Sequence, residues 1–236
     1  MDLLLVERGL VESREKAQAL IMAGEVRVNG QKAAKPGQAF GADAVVEVLA
    51  RPPYVSRGGV KLAGALRHFE IDVAGKVCLD IGSSTGGFTD VLLQGGAARV
   101  HAVDVGAGQL DWKLRTDPRV RLHEGINARE LQADEIGELV DLITCDVSFI
   151  SVTLILPAVA RLLRPGGQMV ILIKPQFEVG KGQVGKGGIV RDAALHQAAC
   201  DRVTQAVREL GFATAIMESP IAGAEGNKEF LLHAHH

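Results

Sequence analysis

From residue 76 to the C-terminus, short apolar runs alternate with stretches of helical spacing, and nothing else in the chain limits its fold so tightly. Runs over 76–81, 98–104, 119–122, 140–146 and 168–174 have the length and character of buried strands. A long helix is predicted over 192–210, and "FATAIME" and "EFLLHA" supply two closing strands, the last antiparallel. Strands alternating with helices give an α/β fold with a doubly wound sheet. A hydrophobic fraction of 47% is enough to cover both faces of such a sheet.

The first fifty residues read differently. "DLLLVERGL" has helical spacing, with Leu4, Leu5 and Val6 turned inward, and "SREKAQALIMAG" carries its own punctuation. Ser13 suits an N-cap, Glu15 suits the positive helix end, and Gly24 suits the C-terminal turn. "EVRVNGQ" and "DAVVEVL" follow as short strands, the first entering an Asn-Gly turn. The expected division is 1–50 as a small α+β domain, 51–59 as a linker, and 60–236 as the large domain. The linker rests on the Pro-Pro pair and the two glycines of "ARPPYVSRGG".

Charge and length exclude several classes. The net charge is −2, so no global positive field points to nucleic acid. No apolar run approaches the roughly 18 residues of a membrane span, and "MVILIK" stops at a lysine. The N-terminus shows no secretory leader. Cys78, Cys145 and Cys200 are far apart, which argues for a reducing compartment and against a metal site. Locally, Arg14, Lys16, Arg27, Lys32 and Lys35 face only Glu15 and Glu25. On charge alone that is a solvated face. "SREKAQALIMAGEVRVNGQ", however, resembles the S4 RNA-binding module. The resemblance implies that Arg14, Lys16, Arg27 and Lys32 contact structured RNA.

"LDIGSSTGGFTD" (79–90) stands where an α/β sheet presents its ligand edge. Gly82, Gly86 and Gly87 would let the backbone approach a ligand closely. Their spacing is neither G-x-G-x-x-G nor that of a phosphate loop with its lysine. It better suits a ligand with an amino acid at one end and a nucleoside at the other, which is S-adenosylmethionine. Asp104 ends the next strand, where an acid commonly takes ribose hydroxyls. Asn127 either holds an adenine edge or makes a turn.

Asp146 and Lys174 end apolar strands expected to be neighbours, so both can reach one volume. A ribose 2′-hydroxyl is a weak nucleophile, and its methylation needs alignment and removal of a proton. A lysine can steady the developing alkoxide or take the proton, with acids and a second lysine setting its behaviour. Together "SRGGVKL", "LDIGSSTGGFTD", "AVDVG", "CDVSFIS", "IKPQFE", "GKGGIVRD" and "GNKEFLL" resemble the FtsJ-type RNA 2′-O-methyltransferases. With the S4-like start, nearly the whole chain is similar to the hemolysin-A (TlyA) family.

The resemblance implies a Rossmann-like methyltransferase sheet behind a small S4-like domain. It implies a Lys-Asp-Lys-Glu tetrad at Lys61, Asp146, Lys174 and Glu229. It implies a cofactor pocket lined by Gly82, Ser83, Gly86, Gly87, Asp104, Asn127 and Asp146. Its expected reaction is methylation of cytidine ribose in ribosomal RNA with S-adenosylmethionine, by a cytoplasmic monomer without metal or membrane partner. The glycine-rich "VGKGQVGKGGIVRD" is expected to close on the RNA backbone through Lys181 and Lys186. Phe177 is either a ring for stacking on a base or a core residue, the core being favoured; Trp112 and Tyr54 form no recognisable platform, and the histidines show no ligand spacing. The competing readings are an NAD-dependent oxidoreductase, a non-catalytic RNA-binding protein and a membrane-lytic protein.

Overall fold

A computed structural model describes residues 1–41, 43–49, 53–223 and 225–236. The side chain of Lys181 also lies outside the described residues. The chain divides into two compact units, Met1–Pro52 and Pro53–His236.

In the first unit, helices α1 (Asp2–Glu7) and α2 (Arg14–Ala23) accompany strands β1 (Val26–Val28), β2 (Gln31–Lys32) and β3 (Val46–Val48). Ser13 Oγ accepts from Lys16 N–H, and Gly24 ends α2 in the left-handed region. Asn29 and Gly30 both have positive φ, 50° and 79°, so the Asn-Gly turn is of the hairpin type and returns the chain as β2. Leu5 is fully buried with Ile21 and Val26, while Leu4 and Val6 are only partly covered.

The second unit opens with α3 (Arg57–His68) and continues through β4 (Val77–Ile81), α4 (Gly87–Gln94), β5 (Arg99–Asp104), α5 (Trp112–Arg115) and β6 (Val120–Glu124). Then come α6 (Ala133–Ile136), β7 (Val140–Cys145), α7 (Leu156–Ala160), β8 (Leu163–Ile173), α8 (Pro175–Glu178), α9 (Ala193–Glu209), β9 (Ala213–Glu218) and β10 (Phe230–His235). The sheet order is β6-β5-β4-β7-β8-β10-β9. The first five strands are parallel, and β10 runs antiparallel between β8 and β9. Alternate residues serve opposite faces: Leu79 and Ile143 join the cluster under α9, whereas Cys78 and Leu142 join the cluster under α3 and α4.

Two boundaries differ from expectation. β8 begins at Leu163 rather than 168, because Val140 already pairs with Leu163 before the register shifts near Pro165 and Gly166. The stretch 51–59 is also not a linker throughout. Residues 51 and 52 lie outside the described residues, but Val55 N–H donates to Asp90 at 2.9 Å and Gln94 Nε2 donates to the Pro53 carbonyl at 2.9 Å. Gly58 and Gly59 do not break a helix; they are in the first turn of α3, and a Cβ on Gly59 would collide with Tyr54.

Candidate active site

Parallel strands end in step, so β4, β5, β7 and β8 deliver their following residues to one edge of the sheet. Two adjoining cavities lie there, of about 440 and 490 Å³. Both are lined by Gly82, Ser84, Asp146 and Ser148. The smaller one adds Lys61, Ser83 and Lys174, and the larger adds Asp104, Asn127 and Phe149.

The four residues of the expected tetrad form two ion pairs. Lys174 Nζ lies 2.5 Å from Asp146 Oδ1 and donates to Ser148 Oγ at 2.8 Å. Asp146 Oδ1 receives no well-aligned hydrogen bond, so charge rather than direction holds that contact. Behind it Lys61 Nζ donates to Glu229 Oε2, with both side chains buried. Glu229 lines neither cavity; its contact with the site runs through Lys61.

The packing of the chain itself also requires the glycines. A Cβ on Gly82 would sit 2.5 Å from the Asp146 carbonyl oxygen, and the position has φ +81°. At Gly86 it would meet Leu110 and Leu114, and at Gly87 it would meet Ser56 and the Gly59 nitrogen. The collisions are with the chain itself. These glycines let β4 approach the end of β7 and let α3 pack against α4. Gly86 lines neither cavity.

The pair of cavities fits a ligand with an amino-acid end and a nucleoside end. Ser83 Oγ is buried without a hydrogen-bond partner, and Ser56, the N-cap of α3 at the same cavity, makes no capping bond. Both stand ready for a polar group. Asp104 accepts from Ser84 N–H at 2.8 Å and from Gly106 N–H at 2.7 Å, one bond per oxygen. That leaves lone pairs for ribose hydroxyls. Asn127 Oδ1 accepts from Arg129 N–H at 3.2 Å within its own turn, and the residue also lines the larger cavity. Beneath the loop, Asp80 is fully buried and accepts from Thr89 Oγ1 at 2.7 Å and Thr144 Oγ1 at 2.9 Å. Burial foremost, with the charge of Asp146 adding to it, pushes its pKa up to about 7.

Phe149 carried no signal in the sequence. It is 88% exposed beside the larger cavity and has φ +69°, a conformation that costs a bulky residue on the order of 1–3 kcal/mol. Phe177 lies 5.4 Å from its ring centroid. Phe177 is therefore not the core residue expected of it: it is half-buried and joins neither apolar cluster of this unit.

The expected RNA contacts are divided. Arg14 is tied to the buried Asp2 at 2.8 Å, and Lys16 to Glu12 at 2.8 Å. Hydrogen bonds from Gln18 and Arg14 hold the Asp2 carboxyl well below its usual range. Arg27 and Lys32 are exposed and directly paired across β1 and β2, an arrangement of like charges that pairing alone disfavours. Lys186 is exposed in the glycine-rich loop. That loop is anchored by the buried Asn227, which accepts from Val190 N–H and donates to the Gly188 carbonyl, each at 2.9 Å.

His101 bridges His123 at 3.0 Å and Glu138 at 3.1 Å. Among the described residues, no group of three or more His, Cys, Asp and Glu is placed to hold a metal ion. Nor is any helix long and apolar enough to cross a membrane.

Residues 54–236 match the FtsJ-like methyltransferase family and residues 2–46 match the S4 domain. The 16S/23S rRNA (cytidine-2′-O)-methyltransferase TlyA of Mycobacterium tuberculosis is 48% identical over 98% of this chain and 88% of its own length. Hemolysin A of Brachyspira hyodysenteriae is 44% identical over 99% and 98%. A hemolysin-type protein from Streptococcus thermophilus superposes with a TM-score of 0.77 at 46% identity, over 99% of this chain and 86% of that one.

Proposed function

The chain belongs to the FtsJ-like methyltransferase family with an S4 domain before it, and on that premise we propose how its residues methylate a ribose. It is an S-adenosylmethionine-dependent rRNA (cytidine-2′-O)-methyltransferase. The observation that carries the mechanism is the Lys174–Asp146 contact where two cavities meet, with the buried Lys61–Glu229 pair behind it.

S-adenosylmethionine, when bound, supplies a methyl group made electrophilic by its sulfonium. Ser83, Asp104 and Asn127 would hold it, with Gly82 in the wall of both cavities and Gly87 in the wall of the smaller one. Gly86 serves by packing. Lys174 would meet the target 2′-hydroxyl: a neutral Nζ accepts the hydroxyl proton as the oxygen attacks, whereas a charged one steadies the developing alkoxide while the proton leaves to water. Asp146 and Ser148 restrict the Nζ position, which turns a long mobile side chain into an oriented one. Lys61 adds a second buried cation near the developing alkoxide, and Glu229 balances that cation so that it can stay buried.

Phe149 offers an exposed ring on which a base can stack, so the nucleotide enters with its sugar toward Lys174. Arg27 and Lys32 in the S4 domain and Lys186 in the glycine-rich loop neutralise RNA phosphates, and Lys181 belongs to the same loop. With ribosomal RNA as substrate, the enzyme works in the cytoplasm, as a single chain that needs no metal.

The test is to incubate the protein with labelled S-adenosylmethionine and separated ribosomal subunits from cells lacking the enzyme, then to locate the label. Label on a cytidine ribose is expected, and the labelled subunit identifies the target. Label on a base would overturn the roles given to Lys174 and Asp146.

A further inference from the structure

Glu178 is a buried acid that the mechanism does not use. It ends α8, is 3% exposed, and lines neither cavity. Its Oε2 accepts from Ser151 Oγ at 2.5 Å and its Oε1 from Val152 N–H at 2.8 Å. Its carbonyl accepts from Arg202 Nη1 of α9 at 2.7 Å, so the acid is fixed from behind. Burial raises the pKa of this carboxyl, with Ser151 and Val152 acting in the other direction.

The five residues Lys174–Glu178 grip the segment Asp146–Val152 at three points. Lys174 holds Asp146 and Ser148 at the first. Phe177 rests against Phe149 at the second. Glu178 holds Ser151 and Val152 at the third. Between the outer grips lies Phe149 in its left-handed conformation. A strained residue keeps such a conformation only when its surroundings impose it. Lys174 restrains the chain on the N-terminal side of Phe149, and Glu178 restrains it on the C-terminal side.

We propose that Glu178 is a positioning residue for methyl transfer: by fixing Ser151 and Val152 it keeps Phe149 and Ser148 in register with Lys174. The inference rests on the methyltransferase reading and adds a residue that never touches substrate. A plainer role exists for comparison. Glu178 accepts the Val152 N–H at the start of the short turn Val152–Leu154, whose N-cap is Ser151, so its loss would also loosen that turn.

The deciding experiment uses the full chain, ribosomal subunits and labelled S-adenosylmethionine. It measures kcat, KM for the subunits, cofactor affinity and Tm. Glu178→Ala is expected to lower kcat about 10–100-fold, the scale of a reacting group misplaced by roughly 1 Å, with cofactor affinity unchanged. Glu178→Gln should recover kcat to within about threefold, because its amide oxygen can accept from Val152 and its amide nitrogen can donate to Ser151. In a Phe149→Gly background, Glu178→Ala should cost less than in the unmodified chain, since one of the two residues it positions is already gone.

An undiminished kcat in Glu178→Ala, no recovery with Gln, or a loss fully additive to Phe149→Gly would each overturn the proposal. Where Glu178→Ala does not fold, Ser151→Ala removes one arm of the same grip and is read in the same way. Absence of ribose label with the unmodified enzyme would instead defeat the methyltransferase reading, before any variant is compared.

Discussion

Lys174 and Asp146 are 28 residues apart in the chain and 2.5 Å apart at the site, because the parallel strands β8 and β7 end side by side. Ser148 Oγ takes a further bond from the same Nζ at 2.8 Å. A lysine so restrained can present one face to an incoming hydroxyl. Lys174→Ala is expected to keep cofactor binding and to lower methyl transfer by about 10²–10⁴-fold, the usual worth of a placed proton-transfer group. Calorimetry and single-turnover transfer together check this, and equal turnover in both proteins would remove Lys174 from its role.

The Lys61–Glu229 pair makes a prediction about stability as well as rate. Both groups are buried, so removing either one strands a charge, at a cost of about 3–5 kcal/mol. Lys61→Ala and Glu229→Ala should each destabilise the protein, and the double variant should be more stable than the sum of the two implies. Urea denaturation measures the coupling. Simple additivity would mean that the two charges do not depend on one another.

Phe149→Gly separates strain from function. Glycine accepts φ +69° without penalty, so the variant should melt no lower than the unmodified protein. Loss of a stacking ring should lower kcat/KM for RNA by about 10–100-fold, equivalent to about 1–3 kcal/mol per stacked base. A fall in Tm, or normal turnover, would count against the ring as a platform.

Asp80 predicts a pH signature. Its folded carboxyl titrates at about 7 because of burial, whereas the unfolded chain's carboxyl titrates near 4. The folded state therefore holds the proton more tightly. The resulting stabilisation is complete below about pH 4 and is lost as pH rises through about 7. Asp80→Asn keeps a neutral amide between Thr89 and Thr144 at every pH. It should raise Tm at pH 8, change it little at pH 4, and flatten the decline between. Parallel curves for the two proteins would contradict the assignment.

The cross-strand pair of Arg27 and Lys32 gives a prediction about salt. Replacing both by alanine should weaken RNA binding and reduce the slope of log affinity against log salt by roughly one to two, according to how many phosphates they cover. Arg14→Ala should act chiefly through folding, because it takes from the buried Asp2 its 2.8 Å ion pair and leaves the N-terminal ammonium, at 3.9 Å, as its cation. An unchanged salt slope in the Arg27/Lys32 variant would place the RNA elsewhere.

Much of this protein is local and could be read along the chain. Apolar runs of strand length located the parallel sheet, Ser13 and Gly24 marked the ends of α2, and Asn29-Gly30 marked the hairpin. Asp146 and Lys174 stood out because each ends an apolar strand with a charge. Such signals work because periodicity and capping are written within a few residues of where they act.

Partnership is not written that way, and the tertiary structure decided it. Glu229 reaches Lys61 across 168 residues only because β10 inserts antiparallel between β8 and β9. The glycines of the loop meet Asp146, Leu114 and Ser56 of their own chain, since strand and helix ends converge there. Phe149 holds a conformation that its own side chain opposes, and Glu178 lies buried against a loop that nothing in its sequence names. Burial pattern tells a residue which face it is on; only packing tells it which atom it meets.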